Sequence, residues 1–384
     1  MIGFKNVNAY VLNAGVIKTN IGFENGKIAY IGNDANMITS PIEIGEDKLV
    51  VAGFIDQHVH GAGGADAMDG TTLALSTIAN ALASEGTTAF LATTMTQSPE
   101  NILKAMNAIK EYNNVLHKDG AKVLGVHLEG PFISEKHIGA QPKEYIAKPS
   151  IELFDKFNSA SGNAIKIVSL APEVDGAEEL ITHLVKNNVI VSAGHTDARY
   201  KDIEKAIDNG LSNVTHTFNA QTGLHHREVG VVGSAMLFDS LNAEAICDTI
   251  HLSIPAIKLL VKNKPHDKLT LITDSIRAKY LADGESELGG QKVIVKNGEA
   301  RLVNGALAGS ILKMNDAIKN LYFKCDVKLL DAIDFATINP AKNLGVDDVM
   351  GSIEVGKYAN FAILDGKLNV YLTIREGNVI YTNK

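Results

Sequence analysis

The sequence predicts an α/β chain: a (β/α)₈ TIM barrel over 53–345, carrying a small β-sandwich domain assembled from 1–52 and 346–384. Three observations lead there. Eight strand-like apolar runs begin after Gly53 and alternate with helix-length amphipathic segments; repeated βα units build a parallel sheet, and eight of them close it. Both ends of the chain lack helical periodicity and hold short apolar runs broken by turn residues. With 384 residues, 45% hydrophobic and 21% charged, the chain is long enough for one large core and a satellite.

The elements follow in order. Runs 16–23 and 28–31 flank Asn25-Gly26, a dipeptide suited to a tight hairpin turn. The eight barrel strands are read at 54–60, 87–94, 123–129, 165–171, 189–195, 213–218, 243–251 and 269–274. Helices over 71–84, 99–116, 176–186 and 198–209 show apolar residues at i, i+3 and i+4. After the eighth strand, 291–296 and 300–303 alternate around Asn297-Gly298, a hairpin expected over the barrel mouth, before helices near 314–323 and 329–337. Beyond Pro340 short strands return at 359–364, 370–375 and 378–381. Lone short strands need partners and chain ends often lie close together, so the two ends are expected to share one small β unit.

The formal charge of −8 argues against a general affinity for nucleic acid or anionic membrane, so any anionic ligand is expected to be small. No apolar stretch is long enough to span a bilayer, and Met1–Asn6 opens no charged-then-apolar leader. Two cysteines, Cys247 and Cys325, make no disulfide framework. The expected location is the cytoplasm.

Function is read at the strand ends. Active sites of this fold gather at the C-terminal face of the barrel. His58 and His60 finish the first run and, by strand alternation, point the same way. Glu129 finishes the third, His195 the fifth, His216 the sixth, His251 the seventh and Asp274 the eighth. Singly, each reads equally as a cap, a surface carboxylate or a hydrogen-bonded barrel histidine. Together, imidazoles and carboxylates converging on one face form a metal-site inventory. Imidazole and carboxylate suit zinc, iron, cobalt or manganese. His127, two residues before Glu129, is read as packed and hydrogen-bonded, and Gly61–Gly64 as room for metal and substrate.

The segments Gly53–Gly64, His127–Phe132, Ser192–Ala198, Thr215–Ala220, Leu224–Glu228 and Ile272–Asp274 resemble those of the N-acetylglucosamine-6-phosphate deacetylases, a family of the amidohydrolase superfamily. The resemblance runs nearly the whole chain, in order. It implies removal of acetate from a phosphorylated amino sugar. Glu129, His195 and His216 would bind the main divalent cation and His58 and His60 a second, with Glu129 between them, giving one or two cations per subunit. Such a cation turns water into a nucleophile at neutral pH, and Asp274 would serve as base and then as acid. The resemblance also implies that Arg227, reaching from a neighbouring subunit of a homodimer, and His251 hold the phosphate, while Ala140, Asn219, Ala220, Leu307, Ala308 and Gly309 contact the sugar. Two positions depart from the family pattern: Gln141 stands where many relatives carry a carbonyl-polarising histidine, and Gln221 where Met is common.

Alternatives stay open. Another amidohydrolase, a cyclic amidohydrolase or a deaminase, would keep the metal histidines and Asp274 but lack the Arg227 and His251 pair. A barrel without chemistry, serving to bind or assemble, would have lost a ligand or the acid, and none is lost. Taken alone, Arg227 also reads as an exposed partner of Glu228.

Overall fold

The computed structural model, which describes residues 1–383, holds a parallel eight-stranded barrel sheet. Its strands, here numbered 1 to 8, are Phe54–Val59, Thr87–Thr93, Lys122–Glu129, Ile165–Leu170, Ile190–Ala193, Asn213–Val214, Asn242–Ile246 and Leu269–Ile272. Each pairs with its sequence neighbour. The barrel shuts where strand 8 returns to strand 1. There the Asp274 N–H donates to His58 C=O (2.9 Å), the His60 N–H donates to Ser275 C=O (2.9 Å), and the Thr273 hydroxyl donates to Asp56 (2.6 Å).

The helices between the strands bury their apolar stripes against the sheet. Thr72–Ala83 is capped by Thr71, whose hydroxyl accepts the Ala74 N–H (3.1 Å), and buries Leu75, Ile78 and Leu82. Pro99–Asn113 is capped by Ser98, with Pro99 in the first turn where its missing N–H costs nothing. It stops short of the expected 116 because Val115 and Leu116 turn out to solvent, 60% and 79% exposed.

Strands from both chain ends join in one further sheet. Leu49–Ala52 lies parallel to Ile2–Val11 and antiparallel to Phe361–Leu364, so the two ends are hydrogen-bonded through one short strand. Phe4, Phe23 and Phe361 pack together inside it, with ring centroids 5.5 to 6.0 Å apart. The expected hairpin near 291–303 carries a third strand. Gly284–Leu288, Gln291–Lys296 and Glu299–Leu302 form an antiparallel sheet. Gly284–Leu288 escapes sequence reading because its residues are polar and mostly exposed. The Gln291 amide donates to Ala140 C=O (2.6 Å) and the Gln97 amide to Gly289 C=O (3.1 Å), pinning this sheet over the barrel mouth.

The glycines after His60 do different work from that expected. Gly61–Ala62 and Ala65–Asp66 pair as a small hairpin turned by Gly63 and Gly64, both at positive φ. A Cβ on Gly61 would lie 2.3 Å from Ala65 C=O, so close backbone approach, not room for a ligand, requires glycine there. This hairpin is held from behind: the Gly63 N–H donates to Lys279 C=O (2.8 Å), and the Lys279 ammonium makes a wholly buried ion pair with Glu85 (2.7 Å). Lys279→Met strands the Glu85 carboxylate in the core. Its expected cost is about 3–5 kcal/mol of stability, read as a lowered urea midpoint; an unchanged midpoint would show the pair to be idle.

Candidate metal centre

Three short turns carry the side chains onto the barrel face. Strands 5, 6 and 8 end before the runs read from sequence, at Ala193, Val214 and Ile272. His195, His216 and Asp274 then sit two residues beyond, at φ of 48°, 29° and 49°. A left-handed backbone at non-glycine residues costs of order 1–3 kcal/mol each and persists where the surroundings impose it. Phe218 and Ala220 continue the pattern at φ 84° and 49°, which is why 213–218 shrinks to a two-residue strand. Apolar patterning is blind to this, since Thr215, Thr217 and Phe218 suit a strand equally well.

The side chains converge on Glu129. Its Oε1 lies 3.0 Å from His216 Nε2, 3.2 Å from His195 Nε2 and 3.4 Å from His58 Nε2, while Oε2 lies 3.3 Å from His60 Nε2. Asp274 Oδ1 closes the group, 3.1 Å from His60 Nε2 and 3.4 Å from His58 Nε2. All six residues are buried, none more than 8% exposed. Donor atoms of Glu129, His195 and His216 form one compact cluster, and those of His58, His60 and Asp274 a second.

The electrostatics ask for positive charge at this point. Burial opposes charge on His60, yet hydrogen bonds to Asp274 and Glu129 carry its pKa up to about 9. Burial also opposes the Glu129 and Asp274 carboxylates, but the surrounding imidazoles, His58 foremost, hold both below the ordinary carboxylate range. The His58 Nε2 is buried and, among the described residues, has no hydrogen-bond partner. Four imidazole nitrogens aimed at two ionised carboxylates fit one or two divalent cations. A third cluster, His58, His127 and Glu244, lies beneath and is already spent. The His127 Nδ1 faces Gln57 C=O (3.1 Å) and its Nε2 the Ser169 hydroxyl (2.7 Å), leaving no free lone pair. Burial, then the charge of His58, push its pKa down to about 4.

The amidohydrolase family model matches residues 49–380 of this chain. The chain belongs to the amidohydrolase family. It is 42% identical over 381 residues to the N-acetylglucosamine-6-phosphate deacetylase of Bacillus subtilis (strain 168), aligned over 98% of this chain and 96% of that one. The crystal structure of N-acetylglucosamine-6-phosphate deacetylase from Thermotoga maritima superposes with a TM-score of 0.89 at 34% identity, covering 99% of this chain and 100% of that one. A point mutant of the N-acetyl-D-glucosamine-6-phosphate deacetylase of Mycobacterium smegmatis, solved in complex with N-acetyl-D-glucosamine-6-phosphate, superposes with a TM-score of 0.91 at 26% identity, covering 100% of both chains.

In this amidohydrolase a cavity of about 230 Å³ opens over the cluster. His60, Glu129, His195, His216 and Asp274 line one part of it, with Ala140, Gln141, Asn219, Ala220, His251, Leu307 and Gly309 around the rest. Met95 and Leu288 add an apolar wall. Three expected residues stay outside it. His58 lies beneath the mouth, Ala308 is buried in the core of the three-stranded sheet, and Arg227 is exposed on the loop before Gly230–Leu237, touching His226 (2.8 Å) and not Glu228. His251 does not end strand 7, which stops at Ile246; it hangs from the following loop, its Nδ1 2.6 Å from Asp248 Oδ2. A larger hollow of about 450 Å³ between Tyr112–His117 and Arg375 is remote from these groups.

Gln141 is committed to Glu129. Its amide donates to Glu129 Oε2 (2.7 Å) and its carbonyl accepts the Thr96 N–H (2.7 Å). Two acids escaped sequence reading. Glu173 accepts the Thr196 hydroxyl (2.5 Å) and the Asp197 N–H (2.7 Å), bracing the turn that presents His195. Glu244, mid-strand in strand 7, takes Gln57 (2.7 Å) and His58 Nδ1 (3.2 Å). Burial opposes its charge, but the His58 contact holds its pKa low. A glutamate between two alanines in a short buried strand was the available signal.

Proposed function

We propose that this amidohydrolase hydrolyses the acetamide of N-acetyl-D-glucosamine 6-phosphate, giving D-glucosamine 6-phosphate and acetate. The observation that carries this reading is the convergence of four imidazoles on Glu129, with Asp274 beside them, in a cavity whose rim holds His251. The relatives named above share that activity by name, over nearly the full chain.

Glu129, His195 and His216 hold one divalent cation and His58 and His60 a second, of zinc, iron, cobalt or manganese type. Bound there, the cation acidifies water and polarises the amide carbonyl. Asp274 takes the proton of the attacking water and returns it to the departing amine, whose nitrogen must be protonated to leave. Gln141 keeps Glu129 Oε2 oriented. Asn219, Ala220, Leu307 and Gly309 shape the sugar pocket with Ala140, and Ala308 braces the loop between the last two.

His251 meets the phosphate with its Nε2, since Asp248 Oδ2 sits on Nδ1 and Asp248 Oδ1 accepts the N–H groups of Ile250 and His251 (2.8 and 2.7 Å). Arg227, exposed and outside its own cavity, serves the phosphate of a second subunit, which makes the enzyme a homodimer. No helix among the described residues is long and apolar enough to cross a membrane, and both cysteines are free and buried. These features accord with a cytoplasmic enzyme, organised as a barrel over 53–345 and a β domain from the two ends.

Acetate release from N-acetylglucosamine 6-phosphate, beside the unphosphorylated sugar, tests this. Charge-assisted hydrogen bonds to phosphate contribute about 1.5–3 kcal/mol each, so two of them give about a 10²- to 10⁴-fold preference in kcat/KM. Equal turnover of both sugars removes His251 and Arg227 from the phosphate; turnover of neither removes the substrate.

A further inference from the structure

We infer that Glu244 is a positioning residue that sets the tautomer of His58, so that this one buried carboxylate decides whether the chain holds two cations or one. The inference rests on the two-cation reading above. Glu244 is wholly buried in strand 7. Its Oε1 accepts from the Gln57 amide (2.7 Å), and its Oε2 accepts the His216 N–H (3.3 Å) and faces His58 Nδ1 (3.2 Å).

A carboxylate only accepts. Gln57 must therefore present its NH₂ to Glu244, which turns its carbonyl toward the Asn343 amide (3.0 Å). By the same logic His58 must present Nδ1–H, which leaves Nε2 free to offer a lone pair to a cation seated between it and Glu129 and Asp274, both 3.4 Å away. The chain of donors runs one way, from Asn343 through Gln57 to Glu244, and from His58 to the same acceptor. The pairing of strands 1 and 2 slips between Asp56 and Val59, at the place where consecutive Gln57 and His58 both reach this acid.

The other imidazoles are held differently. His195 Nδ1 faces the carbonyl of His137 (3.0 Å) and His216 Nδ1 that of Asn219 (3.1 Å), backbone acceptors that no substitution removes. His60 Nδ1 has no partner among the described residues. Of the four, only His58 meets a side-chain acceptor at Nδ1. In Glu244→Gln one NH₂ must take either the Oε1 place, donor against donor with the Gln57 NH₂, or the Oε2 place, where it opposes the His216 N–H and drives the His58 proton from Nδ1 to Nε2, removing the ligating lone pair.

The test is manganese binding to metal-stripped protein, counted per chain and read by electron paramagnetic resonance. Wild type is expected to bind two ions with an exchange-coupled spectrum. Glu244→Gln is expected to weaken the second ion about 10- to 100-fold and to give an uncoupled spectrum at one ion per chain, the first ion unchanged. Two coupled ions at wild-type affinity in Glu244→Gln overturn the inference, and so does loss of both. One ion in wild type overturns instead the two-cation reading on which it stands. Independently of whether the variant folds, ¹⁵N resonances of histidine-labelled, zinc-loaded wild type are expected to show His58 protonated at Nδ1 alone; a proton on Nε2 overturns the assignment.

Discussion

Asp274→Asn is expected to lower kcat for acetate release by about 10³-fold, within the 10²- to 10⁴-fold range of a positioned proton carrier. The substitution keeps shape and removes the one carboxylate free to move protons, since Glu129 is surrounded by imidazoles and by Gln141. Asp274 is held by the barrel closure itself: its N–H donates to His58 C=O (2.9 Å), its C=O accepts the Ser310 N–H (2.8 Å), and its φ of 49° aims the side chain inward. Asparagine tolerates that backbone conformation, so the loss falls on chemistry and not on folding. KM is expected to stay within a few-fold, because the substitution leaves in place both His251, held by Asp248, and the Ser310 N–H bond to Asp274 C=O that seats the adjoining Gly309 loop. A residual kcat within tenfold of wild type would assign the proton transfer to another group.

Much of the architecture was legible because barrel strands and helices differ in period. The runs after Gly53 are short and apolar, the segments between them amphipathic, and all eight strands stand where alternation placed them. What patterning missed is where strands stop. Thr215, Thr217 and Phe218 satisfy a strand by composition, yet left-handed turns at His216, Phe218 and Ala220 end strand 6 at Val214. Such φ values are imposed by the packed site and leave no mark on the residue types that bear them. The hidden strand Gly284–Leu288 is the converse case, polar on nearly every residue because it lies on the exposed hood.

The site divides along the same line. Residues with metal-capable side chains at or just past strand ends, His58, His60, Glu129, His195, His216 and Asp274, could be gathered from spacing alone, because the fold says where strand ends meet. Residues that act by touching those could not. Glu244 and Glu173 sit far from their partners in sequence, and nothing in a lone buried glutamate names the imidazole or hydroxyl it will meet. Gln141 shows the limit from the other side. Its donor capacity was evident, but the structure gives that donor to Glu129.

Glu129→Gln is expected to have the largest effect of all, reducing bound cations below one per chain and acetate release on the order of 10⁴-fold. Among the described residues Glu129 alone pairs with all four imidazoles, 3.0 to 3.4 Å from each. Removing one partner of a buried charged group costs about 3–5 kcal/mol, or about 10²- to 10⁴-fold in cation affinity, and here the loss falls on both cation positions at once. The amide adds a second fault. Its NH₂ must face either the Gln141 amide, which already donates to Oε2, or the His195 and His216 nitrogens whose lone pairs the cation requires. Cation content by elemental analysis, measured beside kcat, separates this from the Asp274 variant, which keeps the Glu129, His195 and His216 ligands intact. Full occupancy in Glu129→Gln would mean that the histidines hold the cations without it, and Glu129 would pass from ligand to bystander.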